Sequence, residues 1–400
     1  MMDADFVRRN RLLWLIMAAS FLTPFTGSAL SLSLPDIGRQ YGQGAESLSW
    51  VLGSFLLSAF VFLLPMGRLA ERWGKARLFT LGAGIFAFTS FTCILADSLT
   101  FLIGVRVVQG MGSAMNFATN NALLALAYPK EKRGSAMGWM IAMVYVGLSL
   151  GPVVGGTLNH YLGWQSIFVF IGFIALGVFL ASPLVLKDVP GGNERGGKTG
   201  FLPLEAFRER VFAYSSLAAL LNYMATFAVG FLLSFYLQDI LGYHSHESGM
   251  FLLLQPVMMA LLSPAMGALS DRISPQSLAA GGMALIAAGL MGLALLVHSG
   301  GFYGLFPCLF LLGVGFALFA APNNNAIMGS VPKKFYSFAS SWLGMVRLLG
   351  QVLSILLVTG ILSLAHGELA GLGLLALNMQ ISFVMLSFIC LLGVWAARVR

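Results

Sequence analysis

Charge is what this sequence has least of. Asp, Glu, Lys and Arg make up 10% of its 400 residues against 58% hydrophobic ones, and the mean hydropathy is +0.86. A soluble domain carries roughly 25% charged residues, and a chain of this length encloses no core large enough to hide so much apolar surface. A water-soluble fold is excluded. Cysteine is nearly absent as well: Cys93, Cys308 and Cys390 each sit inside an apolar run without metal-ligand spacing. That rules out a disulfide framework or a zinc site and leaves them as small core residues. The five histidines, His160, His244, His246, His298 and His366, fall near loops or helix ends. His244 and His246 are placed to sense pH, although solvated loop histidines give the same pattern. The sequence shows no Ser/His/Asp or Cys/His arrangement, no metal cluster and no phosphate loop. No catalytic residue, metal or cofactor is therefore expected, and the chain does not read as an enzyme.

What the sequence has instead is long apolar runs. A bilayer-spanning helix needs ~20 mostly apolar residues. Twelve such runs are present: Leu12–Leu34, Ser47–Gly67, Leu78–Ala96, Phe101–Ala127, Ser135–Leu158 and Trp164–Leu186, then Val211–Leu237, Ser248–Leu269, Leu278–His298, Phe302–Gly329, Phe338–Leu364 and Leu372–Ala396. Placing the N-terminus in the cytoplasm puts all but three of the 23 Lys and Arg residues on the same side; the exceptions are Arg39, outside, and Arg106 and Arg347, within helices. This asymmetry follows the positive-inside rule. The formal charge of +8 is thus a topology signal, and no nucleic-acid partner is expected. Arg8, Arg9 and Arg11 ahead of the first run resemble a signal peptide. The run is 23 residues long and has no small-residue cleavage site, so it reads as a retained first helix.

The longest polar stretch, Lys187 to Arg210, contains Pro190-Gly191-Gly192 and Gly196-Gly197. Its composition marks a flexible linker without a packed core of its own. It divides the chain into residues 1–186 and 211–400, with six runs each. The halves repeat. Met66-Gly67-Arg68-Leu69-Ala70-Glu71-Arg72 recurs as Met266-Gly267-Ala268-Leu269-Ser270-Asp271-Arg272. At a constant offset of 203, Gly110 and Gly112 match Gly313 and Gly315, Ala114 and Ala118 match Ala317 and Ala321, and Asn120-Asn121 match Asn323-Asn324. Pro129-Lys130 and Trp139 match Pro332-Lys333 and Trp342 in the same register. A duplicated six-helix unit follows, with a substrate site expected at the repeat interface near the midplane.

Three motifs carry chemistry. The loop after the second run is Gly67-Arg68-Leu69-Ala70-Glu71-Arg72-Trp73-Gly74-Lys75-Ala76-Arg77. An ordinary basic turn would share its cations. Glu71, however, sits where it can pair with a basic residue or cap a neighbouring helix, so that Gly67, Glu71, Arg72, Gly74, Lys75, Arg77, Asp271 and Arg272 form a candidate conformational latch. The fourth run holds Arg106 and Gln109 in Arg106-Val107-Val108-Gln109-Gly110-Met111-Gly112. A charge near the bilayer centre costs ~2.5–3.5 kcal/mol and normally faces a cavity or a partner; outward snorkelling is the alternative. The fifth run contains Gly147, Gly151, Pro152, Gly155 and Gly156. Small residues permit close helix packing and the proline bends the helix.

These motifs resemble those of the major facilitator superfamily. The loop is similar to its cytoplasmic signature, with Glu71 where Asp is commoner. The Arg106 pattern resembles the helix 4 motif, whose Arg is associated with proton transfer. The Gly147–Gly156 run resembles the antiporter signature found chiefly in exporters. Tyr236-Leu237-Gln238-Asp239-Ile240-Leu241-Gly242-Tyr243, Trp50 and Arg347-Leu348-Leu349-Gly350 resemble the drug–proton antiporter branch. The resemblance covers essentially the whole chain. It implies two pseudo-symmetric six-helix bundles, all-α, working by alternating access.

One feature of that branch is missing. Aligning on Leu34-Pro35 puts Thr26 where the branch has an acidic residue, and none of the fifteen Asp and Glu residues lies deep within a run. The embedded charges are Arg106 and Arg347, both positive, so a cavity between the bundles should favour neutral or anionic substrates. Arg347 could instead cap helix carbonyls. Candidate cavity residues are Thr26, Asn116, Asn120, Asn121, Asn222, Gln255, Asn323, Asn324, Asn325 and Gln351, because an unpaired amide in hydrocarbon is costly. Tyr145, Tyr223, Phe25, Phe55, Phe227 and Met258 are candidates for an apolar lining.

The leading expectation is efflux of small amphipathic molecules by proton antiport. The expected setting is the cell membrane, a prokaryotic inner membrane, with both termini cytoplasmic and the chain monomeric. Its partners would be a small-molecule substrate, protons and the lipid bilayer. One rival is an uptake symporter or facilitator for an organic anion, with Arg106 and Arg347 as anion contacts. A rival of another class is a transport-inactive receptor or partner subunit, for which short loops leave little surface.

Overall fold

The computed structural model describes residues 2–42, 45–187, 189, 204–243, 250–297, 302–363 and 372–398. His244, His246, His298, His366 and the linker positions 188 and 190–203 lie outside the described residues. The described residues form helices and no strands. In a hydrocarbon solvent only a helix or a closed barrel satisfies every backbone N–H and C=O internally, and runs of Leu, Ala, Phe and Met without β-alternation choose the helix. The first half contains α1 (Met2–Tyr41), α2 (Ala45–Trp73), α3 (Lys75–Ile94), α4 (Leu99–Ala127), α5 (Lys130–Leu150) and α6 (Gln165–Leu186). The second contains α7 (Arg210–Thr226), α8 (Leu254–Leu269), α9 (Pro275–Leu296), α10 (Phe302–Ser330), α11 (Tyr336–Ser363) and α12 (Leu372–Arg398).

Eleven helices among the described residues are long and apolar enough to cross a membrane. The long helix outside that set is α4, with 29 residues; it carries Arg106, Gln109, Asn116, Asn120 and Asn121, and these lower its hydropathy. Several elements differ from the sequence reading. Helix α1 runs well past both ends of its apolar run, because a helix continues its own hydrogen bonding into the polar interface. Helix α5 continues through a π-turn, Gly151–Gly155, into Gly156–Leu162. The run after the linker is interrupted: α7 stops at Thr226, resumes at Val229–Phe235 and ends in a second π-turn, Tyr236–Ile240. The far end of the linker is not free either. A short helix, Leu204–Arg208, buries Ala206 and sets Phe207 against Phe212, Phe338 and Trp342.

Packing repeats with the sequence. In the first half α2 and α3 pack on α4, α1 packs on α5 and α6, and α3 packs on α6; in the second, α8 and α9 pack on α10, α7 on α11 and α12, and α9 on α12. The halves meet through two matching pairs, α5 with α8 and α11 with α2, and α4 also lies against α11. One apolar core is shared between the halves. Its first-half members, including Leu12, Phe79, Leu123 and Met137, cluster where Tyr128 donates to the carbonyl of Arg9. This is the basic end, lined by Arg68, Lys75, Lys130 and Arg133. The opposite end of the first half has a separate core around Phe25, Phe86 and Phe168. There Asn159 and Trp164 tie α1 to α5 and α6 through Asp36 and Gln40 at 2.6 and 2.7 Å.

Candidate functional site

At the basic end two carboxylates cross from one half to the other. Glu71, buried at the end of α2, pairs with Arg68 at 2.7 Å, one turn earlier on the same helix. It also accepts from the backbone N–H of Phe338, in the first turn of α11, at 3.2 Å. The Arg68 guanidinium lies 5.2 Å from the centre of the Phe338 ring. Asp271, just after α8, makes the matching contact: it accepts from the N–H groups of Gly134 and Ser135, in the second turn of α5, at 2.7 and 2.9 Å. The first N–H groups of a helix have no partner within it and carry partial positive charge, so Glu71 satisfies both needs at the start of α11. Asn325 donates to Ser270 at 3.1 Å and reaches Asp271 at 3.5 Å. Burial pushes the Asp271 carboxyl above the usual carboxylate range, against the opposing pull of the Ser135 and Gly134 N–H groups and of Arg133; Glu131 adds to the rise.

Close approach makes these contacts possible. A Cβ on Gly134 would fall on the Ser270 hydroxyl and the Gly267 carbonyl oxygen, and one on Gly138 on the Ser263 carbonyl oxygen. Gly67 faces Ser341 of α11 in the same way. Gly74, at φ 101°, turns the chain between α2 and α3 in a conformation other residues rarely adopt. Lys75 is buried, whereas Arg72, Arg77 and Arg272 are exposed. Arg68 and Gly134 were absent from the sequence-derived site. The i, i+3 spacing of Arg68 from Glu71 is the signal that points to the first; nothing in the sequence around Gly134 singles it out.

Arg106 is fully buried inside the first bundle. Its Nε donates to the Val51 carbonyl at 3.0 Å, its Nη1 donates to Gln109, and its guanidinium lies 4.2 Å from the centre of the Phe55 ring. Gln109 continues the chain to Ser90 at 2.8 Å. These bonds join α2, α3 and α4 and do not face the second half.

Gly147, Gly151 and Gly155 bring α5 against α1. A Cβ at these positions would meet the Phe21 carbonyl, Ser28 and Ala29 respectively. Pro152, which has no N–H, is the second residue of the π-turn, and Gly156 follows the turn.

Between the halves, deeper than the carboxylates, lies a small cleft of about 50 Å³. Asn120 and Asn121 of α4, Asn324 of α10, and Arg347 of α11 line it, with Tyr145 of α5 and Tyr223 of α7. Its floor is tied by Asn120 to Ser20 at 3.0 Å, Asn121 to Ser340 at 3.4 Å, and Ser340 to the Phe117 carbonyl at 2.6 Å. Arg347 rests on the Phe117 ring, 4.9 Å from its centre, and is hydrogen-bonded to the Tyr223 hydroxyl. Phe316 stands edge-on to both Tyr145 and Tyr223, at 5.8 and 5.7 Å. The other cavity candidates lie outside this lining. Thr26 turns its hydroxyl onto the Leu22 carbonyl at 2.6 Å, Asn116 packs toward Gly82 of α3, and Gln255 lies beside Gly313 of α10. Asn222 and Asn323 are buried, each with an amide group lacking a partner; Gln351 is half-buried one turn beyond Arg347; and Asn325 belongs with Asp271.

The sequence profile of the Major Facilitator Superfamily matches residues 16–355 and 216–399. The riboflavin transporter RibZ of Clostridioides difficile is 29% identical over 381 residues, covering 83% of this chain and 84% of that protein. The multidrug resistance protein Stp of Mycobacterium tuberculosis is 26% identical over 413 residues, covering 89% and 77%. Among solved structures, the human organic anion transporter MFSD10 (TETRAN) superposes with a TM-score of 0.71 at 17% identity, over 98% of this chain and 99% of that one. A bacterial homologue of the iron transporter ferroportin, in an outward-facing state, gives 0.74 at 14% identity, over 96% and 99%. At these identities the two structures speak for the fold alone.

Proposed function

Because the chain belongs to the major facilitator superfamily, we propose that it is a secondary transporter that carries small amphipathic molecules out of the cell in exchange for protons. The two halves, residues 1–186 and 211–400 joined by 187–210, rock about the central cleft, and the chain works as a monomer in the cell membrane with both termini cytoplasmic. The observation that carries this reading is the cleft between the halves, closed at the basic end by Glu71 on α11 and Asp271 on α5. With the basic end cytoplasmic, this conformation is shut toward the cytoplasm. Opening it requires both carboxylates to leave their helices, which makes them the latch of an alternating-access cycle.

Export is favoured by the Gly147–Gly156 pattern and by relatives named for resistance and export, among them the tetracenomycin C resistance and export protein of Streptomyces glaucescens. Arg106 holds α2, α3 and α4 together in this scheme, and the exchangeable carboxyl groups are those of the latch. A second reading, a symporter or facilitator for an organic anion, is favoured by Arg347 in the cleft.

The test uses inside-out vesicles, acidified inside, with a pH-sensitive dye in the lumen. Cationic, neutral and anionic candidates are added in turn. Proton release triggered by a candidate, and absent from vesicles without the protein, is the expected result. Gradient-independent uptake of an anion, with no proton release for any candidate, overturns the exporter reading in favour of the facilitator.

A further inference from the structure

The charge of the substrate is written in the cleft more plainly than the direction of its travel, and resting on the transporter reading above, we propose that the cleft selects an aromatic anion, bound through the in-plane N–H groups of Arg347. Arg347 is the cation of the lining, and among the described residues no Asp or Glu lines the cleft with it. The ion pairs among the described residues are Arg39 with Asp36 and Arg68 with Glu71; Arg347 takes part in neither. A guanidinium placed at membrane depth without a counter-ion is expensive, and it is retained where an anion visits it.

The orientation of the group sharpens the argument. Phe117 occupies one face of the guanidinium and Tyr223 one edge. Arginine has five N–H donors in a planar fork, so these contacts leave donors in the plane for a carboxylate or sulfonate, which the fork matches with two parallel bonds. Phe117 belongs to the first half, and Arg347 and Tyr223 to the second. The anion therefore binds where the two halves share a site.

The rest of the lining sets the shape of the ligand. Tyr145, Tyr223 and Phe117 supply aromatic surface, and Phe316 backs both tyrosines. The amide oxygens of Asn120 and Asn121 are buried without a hydrogen-bond partner, so a ligand bearing an N–H or O–H away from its anionic group would satisfy them. A cationic drug finds no carboxylate there and meets Arg347 instead.

Purified protein in nanodiscs is titrated by equilibrium dialysis with three molecules on one ring system: 2-naphthalenesulfonate, the neutral 2-naphthalenesulfonamide and the 2-naphthyltrimethylammonium cation. The anion is expected to bind at least tenfold more tightly than the other two. Arg347→Gln should remove at least tenfold of that affinity, Arg347→Lys should retain part of it, and Arg39→Gln, an exposed cation at the opposite end, should change nothing. Equal or tighter binding of the cation or the neutral molecule overturns the proposal, as does unchanged anion binding in Arg347→Gln or no binding of any probe. The comparison on the unmodified protein decides the matter even where a variant misfolds, which its melting temperature reveals. Flux of the sulfonate is measured separately in proteoliposomes. Selective binding without flux removes the transporter reading and leaves the charge selectivity standing.

Discussion

Gly134 has a hydrogen where other residues have a carbon, and that carbon would strike the Gly267 carbonyl oxygen of the other half. Backbone cannot step aside as a flexible side chain does, so Gly134→Ala should part α5 from α8 at the basic end. Overpacking of this kind costs about 1–3 kcal/mol, which shifts the ratio of closed to open molecules roughly tenfold or more. Pulsed EPR distances between spin labels at the exposed positions Trp73 and Ile273 would show the broadening; Gly177→Ala, with nothing within 4 Å of its added carbon, should leave the distances unchanged. Arg106 invites a different test. A lysine has one point of charge and cannot reach Val51 and Gln109 together as the guanidinium does. Arg106→Lys should lower stability by about 1–3 kcal/mol, seen as a lower melting temperature, with anion binding in the cleft unaltered. Lost binding at unchanged stability would contradict its placement as a brace. The sequence shows that polar residues in an apolar run turn inward, but not toward which inner surface. Helix α4 makes contacts on several sides: Arg106 faces α2, Gln109 and Asn116 face α3, and Asn121 faces α11. The exposed stripe of Phe101, Gly104 and Val108 is confined to the first half of the helix and does not tell the cleft residues Asn120 and Asn121 from the packing residues beside them.

Asp271 makes the turn after α8 sensitive to pH. Docked on α5, its carboxyl holds a proton more tightly than a solvated one, because burial outweighs the helix N–H groups and Arg133. The state in which a group has the higher pKa gains as pH falls. Acidifying the basic end through the window above the ordinary carboxylate range should therefore favour the docked conformation, and the bias disappears above that window. The Trp73–Ile273 distance followed against pH would show this, and Asp271→Asn should flatten the response. Element boundaries were legible where apolar runs end and hidden where tertiary contacts decide them. The bend at Pro152 can be read from the proline. The π-turn around it depends on α1, against which Gly151 and Gly155 are pressed. The helix Leu204–Arg208 is masked in the sequence by Glu205, Arg208, Glu209 and Arg210, which surround the two residues, Ala206 and Phe207, that dock it. Phe207→Ala removes ring contacts with Phe212, Phe338 and Trp342 and should cost about 1–2 kcal/mol for a half-buried aromatic. A lower melting temperature would register it; no change would mean that this end of the linker is held by other contacts.

At the scale of the whole molecule the duplication becomes mechanical. The sequence repeat, with its offset of 203 through α4 and α10, leads to a structure in which Ser135 and Phe338, separated by the same offset, receive carboxylates from the opposite half. That the halves would be alike was legible from the repeat; that each would send a carboxylate to a helix of the other was not, since that contact exists only once α2 meets α11 and α8 meets α5. The two latches share no residue and lie on different helix pairs, so their contributions should add. Removing Glu71 takes the carboxylate from the first-turn N–H of Phe338, and removing Asp271 takes it from the N–H groups of Gly134 and Ser135, each a loss of about 1–3 kcal/mol in the closed state. Glu71→Ala and Asp271→Ala should each raise the open fraction at the basic end roughly tenfold, and the double variant roughly a hundredfold, as read from the same spin-label populations. A double variant no more open than the worse single one would mean that the latches break as one unit, because the halves move as rigid bodies and losing one contact already carries the other away. An unchanged population in both single variants would place the closing energy in the glycine-lined crossings of α5 with α8 and α2 with α11, with the carboxylates setting only the response to pH.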